Sequence, residues 1–361
     1  MHICQFLGVG GLEKVLYLLI QEQLKANYEV ELVIYDYEKT WVSKFEQLGI
    51  KVHSEYTKSE GYDRKLLNYL DEKVRDFTHI HTHDLNPMLY IGVLKIITKL
   101  KLKKFPKIIH TTHGMEHVVA QPKTKLYECF LAWTADKVIT VSEAFKEYYL
   151  KKTFVSKNKV INIDNGTPVP EKLPDLIDLN LKNKIIRAHD IEAAKSIWIA
   201  VARVVPLKDQ KILSDAMSHF PNKHLILIGP SGNNKYYQEI EQSKGSNVTL
   251  AGKKENISEY LAASELFLSA SHHEGIPISV LEAAASGTPC VLSNIDGHNT
   301  LNSNNFYTFN IRDSKSLINT LKTINNTDSE KKRLAFYRAV LDNYSANKMF
   351  NLYHREYQKI L

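Results

Sequence analysis

The chain has 361 residues, of which 43% are hydrophobic and 24% are charged. This composition is typical of a globular protein and excludes the disordered and membrane-spanning classes. The length predicts two domains with a cleft between them rather than one compact core. The 47 Lys and Arg residues against 40 Asp and Glu are a mild basic bias, compatible with anionic lipid, nucleic acid or a phosphorylated substrate.

The N-terminal residues MHICQFL contain no basic segment and no cleavage site, so they predict a first strand rather than a signal peptide. No apolar run reaches the roughly 20 residues that span a bilayer. Cys4, Cys129 and Cys290 are isolated in the sequence, which argues against a disulfide framework or a zinc knuckle. Together these features predict a cytoplasmic protein.

Short β-branched or aromatic runs alternate with longer amphipathic runs, which is the pattern of βα units in a parallel sheet. In the first half the pattern predicts strands at residues 2–7, 29–35, 51–53, 78–81, 107–112 and 137–141, with helices that include 12–25, 64–77 and 123–133. Turn-forming residues dominate 163–181 and predict an interdomain linker. Further strands are predicted at 196–202, 224–228, 248–250, 266–269, 289–292 and 306–309. The fold class is therefore α/β, with two doubly wound domains and an amphipathic C-terminal helix at 346–361.

The segment SHHEGIPISVLE places a loop before a predicted helix at residues 278–286. The free N–H groups and the dipole of a helix N-terminus attract phosphate. Glu274, just before the helix, is placed to accept hydrogen bonds from sugar hydroxyls, and Glu282, further along it, is placed for a ribose. On spacing alone, a helix-terminal charge and a surface residue explain these two glutamates equally well.

The segment ARVVPLK follows a predicted strand and leads into a helix. It places Arg203 and Lys208 at the carboxyl edge of a parallel sheet, where doubly wound domains bind ligands. Because such residues are also common as solvated cations, the pattern alone is weak.

A glycine-rich turn, LGVGGLE, follows the first predicted strand and imitates a dinucleotide-binding fingerprint, with Asp36 ending the second strand. Glu13 stands where the third glycine of that fingerprint would be. This substitution argues against NAD binding.

Four histidines end two predicted strands: His81, His83, His110 and His113. A cluster of this kind suits zinc or iron, so a metal-dependent hydrolase is an alternative function. No set of Asp or Lys residues completes such a site in the sequence. A histidine at a strand end is also more often a hydrogen-bonded structural group than a ligand.

A run of lysines without any acidic residue is interleaved with apolar residues: Lys95, Lys99, Lys101, Lys103, Lys104 and Lys107. Such a basic amphipathic edge is typical of binding to an anionic membrane surface. A solvated helix face is the alternative. Nucleic acid is not expected, because the run lacks stacking aromatics or a recognition motif.

Taken together, the chain resembles retaining glycosyltransferase family 4, also described as glycosyl transferases group 1. The resemblance rests on S-x-x-E-G from Ser271 and E-A-x-A-x-G-x-P from Glu282, and it covers nearly the whole chain. It implies a GT-B fold of two Rossmann-like domains facing a central cleft. The implied acceptor-binding domain is 1–165 and the donor-binding domain is 166–344, with 345–361 packing back on the first.

The resemblance also implies transfer of a sugar, with retention of configuration, from a nucleoside-diphosphate sugar to a glycan or lipid-linked acceptor. We expect a UDP-sugar donor, no cofactor and no metal, a role in cell-surface polysaccharide synthesis, and a peripheral position on the inner face of the cytoplasmic membrane. Arg203 and Lys208 match the pair that grips the donor diphosphate, and His113 matches a histidine beside the transferred sugar. No residue is implied as a covalent nucleophile.

The implied site has two parts. The catalytic residues are His113, Glu274, Arg203 and Lys208. The donor-binding residues are Gly10, Gly11, Arg203, Lys208, Gly275, Ile276, Pro277, Ile278 and Glu282. The two N-terminal glycines allow close approach of the donor phosphate or the acceptor.

One loop departs from the family pattern. The family usually has a Gly-Gly pair with an acid a few residues later, whereas this chain has DGHNT from Asp296. Donor contacts from this loop are therefore not implied. A non-catalytic nucleotide-sugar-binding module on the same fold is a third hypothesis.

Overall fold

The computed structural model describes residues 1–8, 10–113, 122–153, 155–175 and 177–361, with residues 122–126 described by their backbone. These residues form two compact units. The N-terminal unit is Met1–Gly166 together with Ala346–Leu361, and the C-terminal unit is Thr167–Ser345. Each unit is built on one parallel sheet.

The N-terminal unit has a seven-stranded sheet in the order β3-β2-β1-β4-β5-β6-β7. Its strands are β1 (His2–Cys4), β2 (Glu31–Ile34), β3 (Lys51–His53), β4 (His79–His83), β5 (Lys107–Thr112), β6 (Lys137–Thr140) and β7 (Val160–Asn162). Its first helices are α1 (Gly11–Lys25), α2 (Val42–Glu46), α3 (Arg64–Val74), α4 (Leu85–Leu100), α5 (Pro122–Thr134) and α6 (Glu143–Lys152).

The C-terminal unit has a six-stranded sheet in the order β10-β9-β8-β11-β12-β13. Its strands are β8 (Ser196–Val201), β9 (Lys223–Ile228), β10 (Val248–Gly252), β11 (Leu266–Ser269), β12 (Cys290–Ser293) and β13 (Tyr307–Phe309). Its helices are α7 (Leu179–Ala188), α8 (Gln210–Ala216), α9 (Asn234–Ser243), α10 (Ile257–Ala262), α11 (Ile278–Ala285), α12 (Asp296–Asn299), α13 (Ser314–Thr323) and α14 (Asn326–Asn343). The final helix, α15 (Ala346–Lys359), returns to the N-terminal unit.

All the predicted strands are present, and the prediction of two doubly wound parallel sheets is confirmed. Two local predictions were wrong. The strand Val160–Asn162 was missed, because three residues between polar segments carry no periodic signal. The predicted linker at 163–181 overlaps the start of α7, where the Asp178 carboxylate accepts hydrogen bonds from the backbone N–H groups of Asn180 and Leu181.

The two faces of the N-terminal sheet differ in polarity. One face carries Ile3, Ile80 and Ile108 in a large apolar core. Side chains alternate along a strand, so the residues between these isoleucines face the other way. That second face contacts α1 through His2 and α15 through His81 and is partly polar, as described below.

In the parts of the chain that the structure describes, no helix is both long enough and apolar enough to cross a bilayer.

Candidate active site

In the C-terminal sheet, chain order reverses between β8 and β11, and a doubly wound sheet binds its ligands at this point. The loops that follow these strands bring together two of the predicted catalytic residues. Lys208 Nζ lies 2.5 Å from Glu274 Oε1, with the two side chains only 16% and 15% exposed. Ser271 Oγ donates a second hydrogen bond to Glu274 Oε1 at 2.7 Å. The Glu274 carboxylate is thus held by a cation and a hydroxyl.

The loop that departs from the family pattern, which contains Gly297 and His298, packs against the backbone of Glu274. A Cβ added to Gly297 would lie 2.2 Å from the carbonyl oxygen of Glu274, so only glycine fits there. The completely buried His298 donates from Nδ1 to the carbonyl oxygen of Ser293 at 2.8 Å. Ser293 Oγ in turn donates to the carbonyl oxygen of Ser271 at 2.6 Å. From the sequence, this loop was predicted only to differ from the family pattern. Its packing role could not be predicted, because it depends on contacts between separate strands.

The remaining polar nitrogen of His298 is unusual. Nε2 is buried and has no hydrogen-bond partner among the described residues. Burial lowers the pKa of His298, while the nearby Glu274 carboxylate raises it and Lys208 lowers it. The loop therefore brings a neutral imidazole close to the Lys208–Glu274 pair.

A second side-chain hydrogen bond joins the same two loops. His272 Nε2 lies 2.9 Å from Asp209 Oδ2, and these residues directly follow Ser271 and Lys208. Asp209 adopts a left-handed conformation with φ of 45°, which a non-glycine residue rarely does. Sequence reasoning missed this pair, although the local sequence contains both residues.

The other predicted donor-binding residues lie around the start of α11. Gly275 is exposed, whereas the side chains of Ile276 and Pro277 are buried, so these two residues would offer a ligand their backbone. The helix begins at Ile278 and has no side-chain cap. The N–H groups of Val280 and Leu281 already bond to the carbonyl oxygen of Pro277, which leaves those of Ile278 and Ser279 for an anion. Arg203 follows β8 with its side chain exposed.

Glu282 lies in a different environment from Glu274. Because α11 starts at Ile278, Glu282 is little more than one helical turn inside it. It borders a small cavity of about 300 Å³ that is also lined by Pro168, Pro170 and Ser258. Its predicted contact with a ribose stays a prediction.

In the N-terminal sheet the order reverses between β1 and β4. The turn after β1 contains the predicted Gly10 and Gly11, both exposed at the start of α1. The buried Glu13 carboxylate accepts a hydrogen bond from the backbone N–H of Gly8 at 2.9 Å, and burial raises its pKa. The backbone N–H of Gly8 therefore bonds to the Glu13 carboxylate. In a dinucleotide-binding fingerprint, N–H groups of this turn are left to bind phosphate. This arrangement suits sugar hydroxyls better than phosphate.

His113 follows β5 at the same edge of this sheet. Its backbone N–H donates to Asp84 Oδ1 at 3.1 Å, and its ring Nε2 lies 3.0 Å from Nδ1 of His83. Asp84 has a φ of 63°, again in the left-handed region. Burial lowers the pKa of His113, so the ring is neutral at pH 7.

The four-histidine cluster of the hydrolase alternative is divided by the sheet. His110 pairs in register with Thr82, and its Nδ1 lies 3.1 Å from Thr82 Oγ1. His81 and His83 alternate with Thr82 and face the opposite side. The predicted grouping of His110 with the other three was therefore wrong.

A different trio, His2, His81 and His83, has ring nitrogens within 4.8 Å of one another. Every ring nitrogen of the three has a hydrogen-bond partner among the described residues. Since a metal needs those lone pairs, the geometry favours a hydrogen-bonded network over a metal centre.

The predicted basic edge needs one correction. Lys95 is buried, and its Nζ contacts Asp136 Oδ2 at 2.7 Å and the carbonyl oxygen of Thr134 at 2.8 Å. It is therefore a structural ion pair and cannot contact a membrane. The remaining lysines of the run are exposed, and so are two of its leucines: Lys99, Lys101, Lys103, Lys104, Lys107, Leu100 and Leu102.

Comparison with known proteins matches both halves of the chain. Residues 9–169 match the family described as Glycosyltransferase Family 4, and residues 182–339 match Glycosyl transferases group 1. The chain is 27% identical over 265 residues to the UDP-Gal:alpha-D-GlcNAc-diphosphoundecaprenol alpha-1,3-galactosyltransferase of Escherichia coli, covering 69% of this chain and 66% of that protein.

It is 26% identical over 165 residues to the N,N'-diacetylbacillosaminyl-diphospho-undecaprenol alpha-1,3-N-acetylgalactosaminyltransferase of Campylobacter jejuni, covering 45% of this chain and 43% of that protein. The matched stretches thus cover no more than two thirds of either relative.

Solved structures show the same fold. Anabaena HepE in complex with UDP and glucose has a TM-score of 0.82 at 17% identity, covering 99% of this chain and 98% of that chain. A glycosyltransferase from Rickettsia africae has a TM-score of 0.82 at 18% identity, covering 99% and 97%. These likenesses confirm the predicted GT-B fold. Since the two family matches between them take in most of the chain, the protein belongs to glycosyltransferase family 4.

Proposed function

We propose that this protein is a retaining glycosyltransferase that moves a sugar from a UDP-sugar to a hydroxyl group of a glycan or lipid-linked acceptor. The observation that carries the proposal is the Lys208–Glu274 contact beside the start of α11. A cation for the diphosphate, a carboxylate for the sugar and helix N–H groups share one edge of one sheet. The UDP-Gal donor and diphosphoundecaprenol acceptor in the name of the Escherichia coli relative support this choice of substrates.

The proposed reaction needs charge stabilisation more than proton transfer. The bond between the sugar C1 and the diphosphate oxygen breaks, a bond from the acceptor oxygen to C1 forms on the same face, and the hydroxyl proton passes to the departing phosphate. Negative charge grows on the diphosphate, where Arg203, Lys208 and the first N–H groups of α11 neutralise it. Because the chain supplies these positive groups, we propose that no metal takes part.

Before the donor binds, Glu274 neutralises Lys208. A diphosphate would compete for the ammonium group, because phosphate oxygens offer it charge-assisted hydrogen bonds. The Ser271 hydroxyl would still hold the Glu274 carboxylate. Glu274 then keeps its orientation and can accept hydrogen bonds from hydroxyls of the transferred sugar.

The remaining predicted residues receive matching roles in the proposal. The C-terminal unit binds the donor, with Glu282 assigned to the ribose. The N-terminal unit binds the acceptor. Gly10 and Gly11, predicted as donor-binding residues, let a substrate approach the backbone closely, and His113 orients a hydroxyl group of the transferred sugar.

We further propose that the exposed segment formed by Lys99, Leu100, Lys101, Leu102, Lys103 and Lys104, here called the basic tip, docks on anionic lipid at the inner face of the cytoplasmic membrane. Leu100 is 79% exposed and Leu102 is 96% exposed, so both can insert into the lipid interface. The lysines add electrostatic attraction. A lipid-linked acceptor would be presented at the same surface.

Calorimetric titration of the purified protein with UDP, GDP and ADP tests the donor site. We expect UDP to bind most tightly, in the presence or absence of EDTA. Lys208→Met should weaken UDP binding by about tenfold to a hundredfold, because it removes a hydrogen bond to a charged group at nearly constant side-chain volume.

Lys211→Met is the matched control, because Lys211 lies three residues away and pairs with Asp215 at 2.9 Å. It should leave UDP binding unchanged. Equal binding of all three nucleotides, loss of binding in EDTA, or equal effects of the two substitutions would contradict the proposal.

A further inference from the structure

The polar face of the N-terminal sheet carries a continuous row of histidines. His113 Nε2 lies 3.0 Å from His83 Nδ1, and His83 Nε2 lies 2.9 Å from His2 Nδ1. His2 Nε2 lies 2.9 Å from Oε1 of Gln23, on α1. The row thus connects the proposed sugar-orienting histidine to a side chain on α1.

The chemistry of Gln23 sets the direction of every hydrogen bond in this row. Its amide nitrogen donates to the Tyr357 hydroxyl at 3.1 Å, which turns the carbonyl oxygen toward His2. A carbonyl oxygen only accepts, so His2 must carry its proton on Nε2. A neutral imidazole has one N–H, so His2 Nδ1 accepts from His83, and His83 Nδ1 accepts from Nε2 of His113.

Burial keeps these rings neutral, as the row requires. It lowers the pKa of His2 to about 3, with further lowering by the N-terminal amino group. It lowers the pKa of His83 well below its usual value, with further lowering by neighbouring histidines. The cause is the cost of moving a charged imidazolium out of water. At pH 7 each ring therefore has one donor and one acceptor.

We propose that His83, His2 and Gln23 are positioning residues that fix the tautomer of His113, with the proton on Nε2 and the lone pair on Nδ1. Nδ1 is then the nitrogen that accepts a hydrogen bond from a substrate hydroxyl. This inference rests on the proposed function for the role of His113, but the tautomer itself is a property of the protein alone.

A second branch stabilises the orientation of Gln23. The Tyr357 hydroxyl donates to His81 Nδ1 at 2.8 Å, and His81 Nε2 donates to Thr111 Oγ1 at 2.7 Å. Turning the Gln23 amide by 180° would require all the hydrogen bonds of both branches to reverse together. Such a cooperative network favours one arrangement over a mixture.

Nitrogen-15 NMR of the imidazole rings tests the inference without any substrate. In the wild-type protein we expect His113 to be protonated on Nε2 only. Gln23→Met should give a mixture of both His113 tautomers, because the side chain keeps its length but loses both polar atoms. If the proposed function also holds, kcat should fall about fivefold to tenfold with the donor KM unchanged, the loss expected for one misdirected hydrogen bond.

Two further variants keep the test decisive. Gln23→Glu still presents an acceptor to His2, so it should preserve the wild-type His113 tautomer. Gln21→Met, on the same helix, should change neither the tautomer nor kcat. Protonation of wild-type His113 on Nδ1, an unchanged tautomer in Gln23→Met, or one bound zinc ion per chain held by His2, His81 and His83 would overturn the inference. If the His113 tautomer responds to Gln23 but the protein has no transferase activity, the proposed function is refuted and the assignment of the His113 tautomer stands.

Discussion

Glu274 shows how the role of one carboxylate depends on its neighbours. Lys208 and Ser271 both contact Oε1, and the Gly297 backbone packs against the carbonyl oxygen of Glu274 itself. The side chain and the backbone are therefore oriented by different parts of the sheet edge. Preorganisation of this kind lowers the cost of aligning a group with a transition state.

Ser271→Ala should lower kcat by about tenfold to a hundredfold while the donor KM changes little, because a hydrogen bond to a charged group is lost. Ser271 is only 1% exposed and so acts through Glu274 rather than on the donor. A double-mutant cycle checks this. On a Glu274→Ala background the Ser271 substitution should have no further effect, and two independent, multiplying losses would contradict the assignment.

The sequence predicted Glu274 and Lys208 because each belongs to a short local motif. It could not predict the partners of these residues. Ser271 stood in the motif, but its bond to Glu274 depends on how the loop turns. Gln23 and Tyr357 are 334 residues apart and meet only because the last helix returns to the N-terminal unit.

The C-terminal end of α4 is the element that carries the basic tip. Leu102 adopts a left-handed φ of 56° and its N–H bonds to the carbonyl oxygen of Lys99 at 2.9 Å. Glycine or asparagine usually occupies such a position, since a side chain there is strained. An apolar side chain that is 96% exposed at the end of a basic segment suits insertion into a lipid interface.

Sedimentation with phospholipid vesicles tests this element. The protein should bind vesicles that contain phosphatidylglycerol and not vesicles of phosphatidylcholine alone. Replacing Lys99, Lys101, Lys103 and Lys104 by Gln should weaken binding on the order of a thousandfold, at about 1 kcal/mol for each lysine. The same change at four other exposed lysines of this unit, Lys65, Lys151, Lys152 and Lys157, is the charge-matched control. Equal weakening by both sets would show that only net charge matters.

At the scale of elements, periodicity predicted every strand except β7. It did not predict the environment of each side chain. Lys95 looked like part of the basic edge, because the local sequence contains no acidic residue. Its partner Asp136 lies 41 positions away, just before β6. The burial of Lys95 could not be predicted, because the sequence pattern does not show which residues of distant elements pair with each other.

The whole molecule should lose stability in acid because several histidines are buried and neutral. The pKa of His110 is lowered by burial to about 4, and that of His2 to about 3. Below pH 6.5 an unfolded histidine binds a proton that the folded form does not, so stability falls as the pH falls toward the folded pKa. Each such histidine should cost about 2 kcal/mol of unfolding free energy between pH 8 and pH 5.

Urea unfolding from pH 5 to pH 8 measures this dependence. His110→Asn should flatten the pH profile of the N-terminal unit, even if it lowers stability overall. His219→Gln changes an exposed histidine and should leave the profile as it is. An unchanged slope in the His110 variant would mean that folding does not lower the pKa of His110.

At the scale of the whole chain, the alternation of strands and helices was enough to predict two parallel sheets. The same topology explains why each sheet collects polar residues where its strand order reverses. It does not predict the histidine row, because nothing in the periodicity of β1 or β4 distinguishes a polar inner face from an apolar one.

Transfer itself is the most direct test of the central claim. The purified protein would be incubated with a panel of radiolabelled UDP-sugars, GDP-sugars and ADP-sugars, an undecaprenyl-diphosphate-linked sugar acceptor and EDTA, and label would be measured in the extracted lipid. We predict transfer from a UDP-sugar, with the anomeric configuration of the donor kept in the product and with loss of transfer in Glu274→Gln. Tight UDP binding without transfer of any sugar, or a product of inverted configuration, would contradict the account.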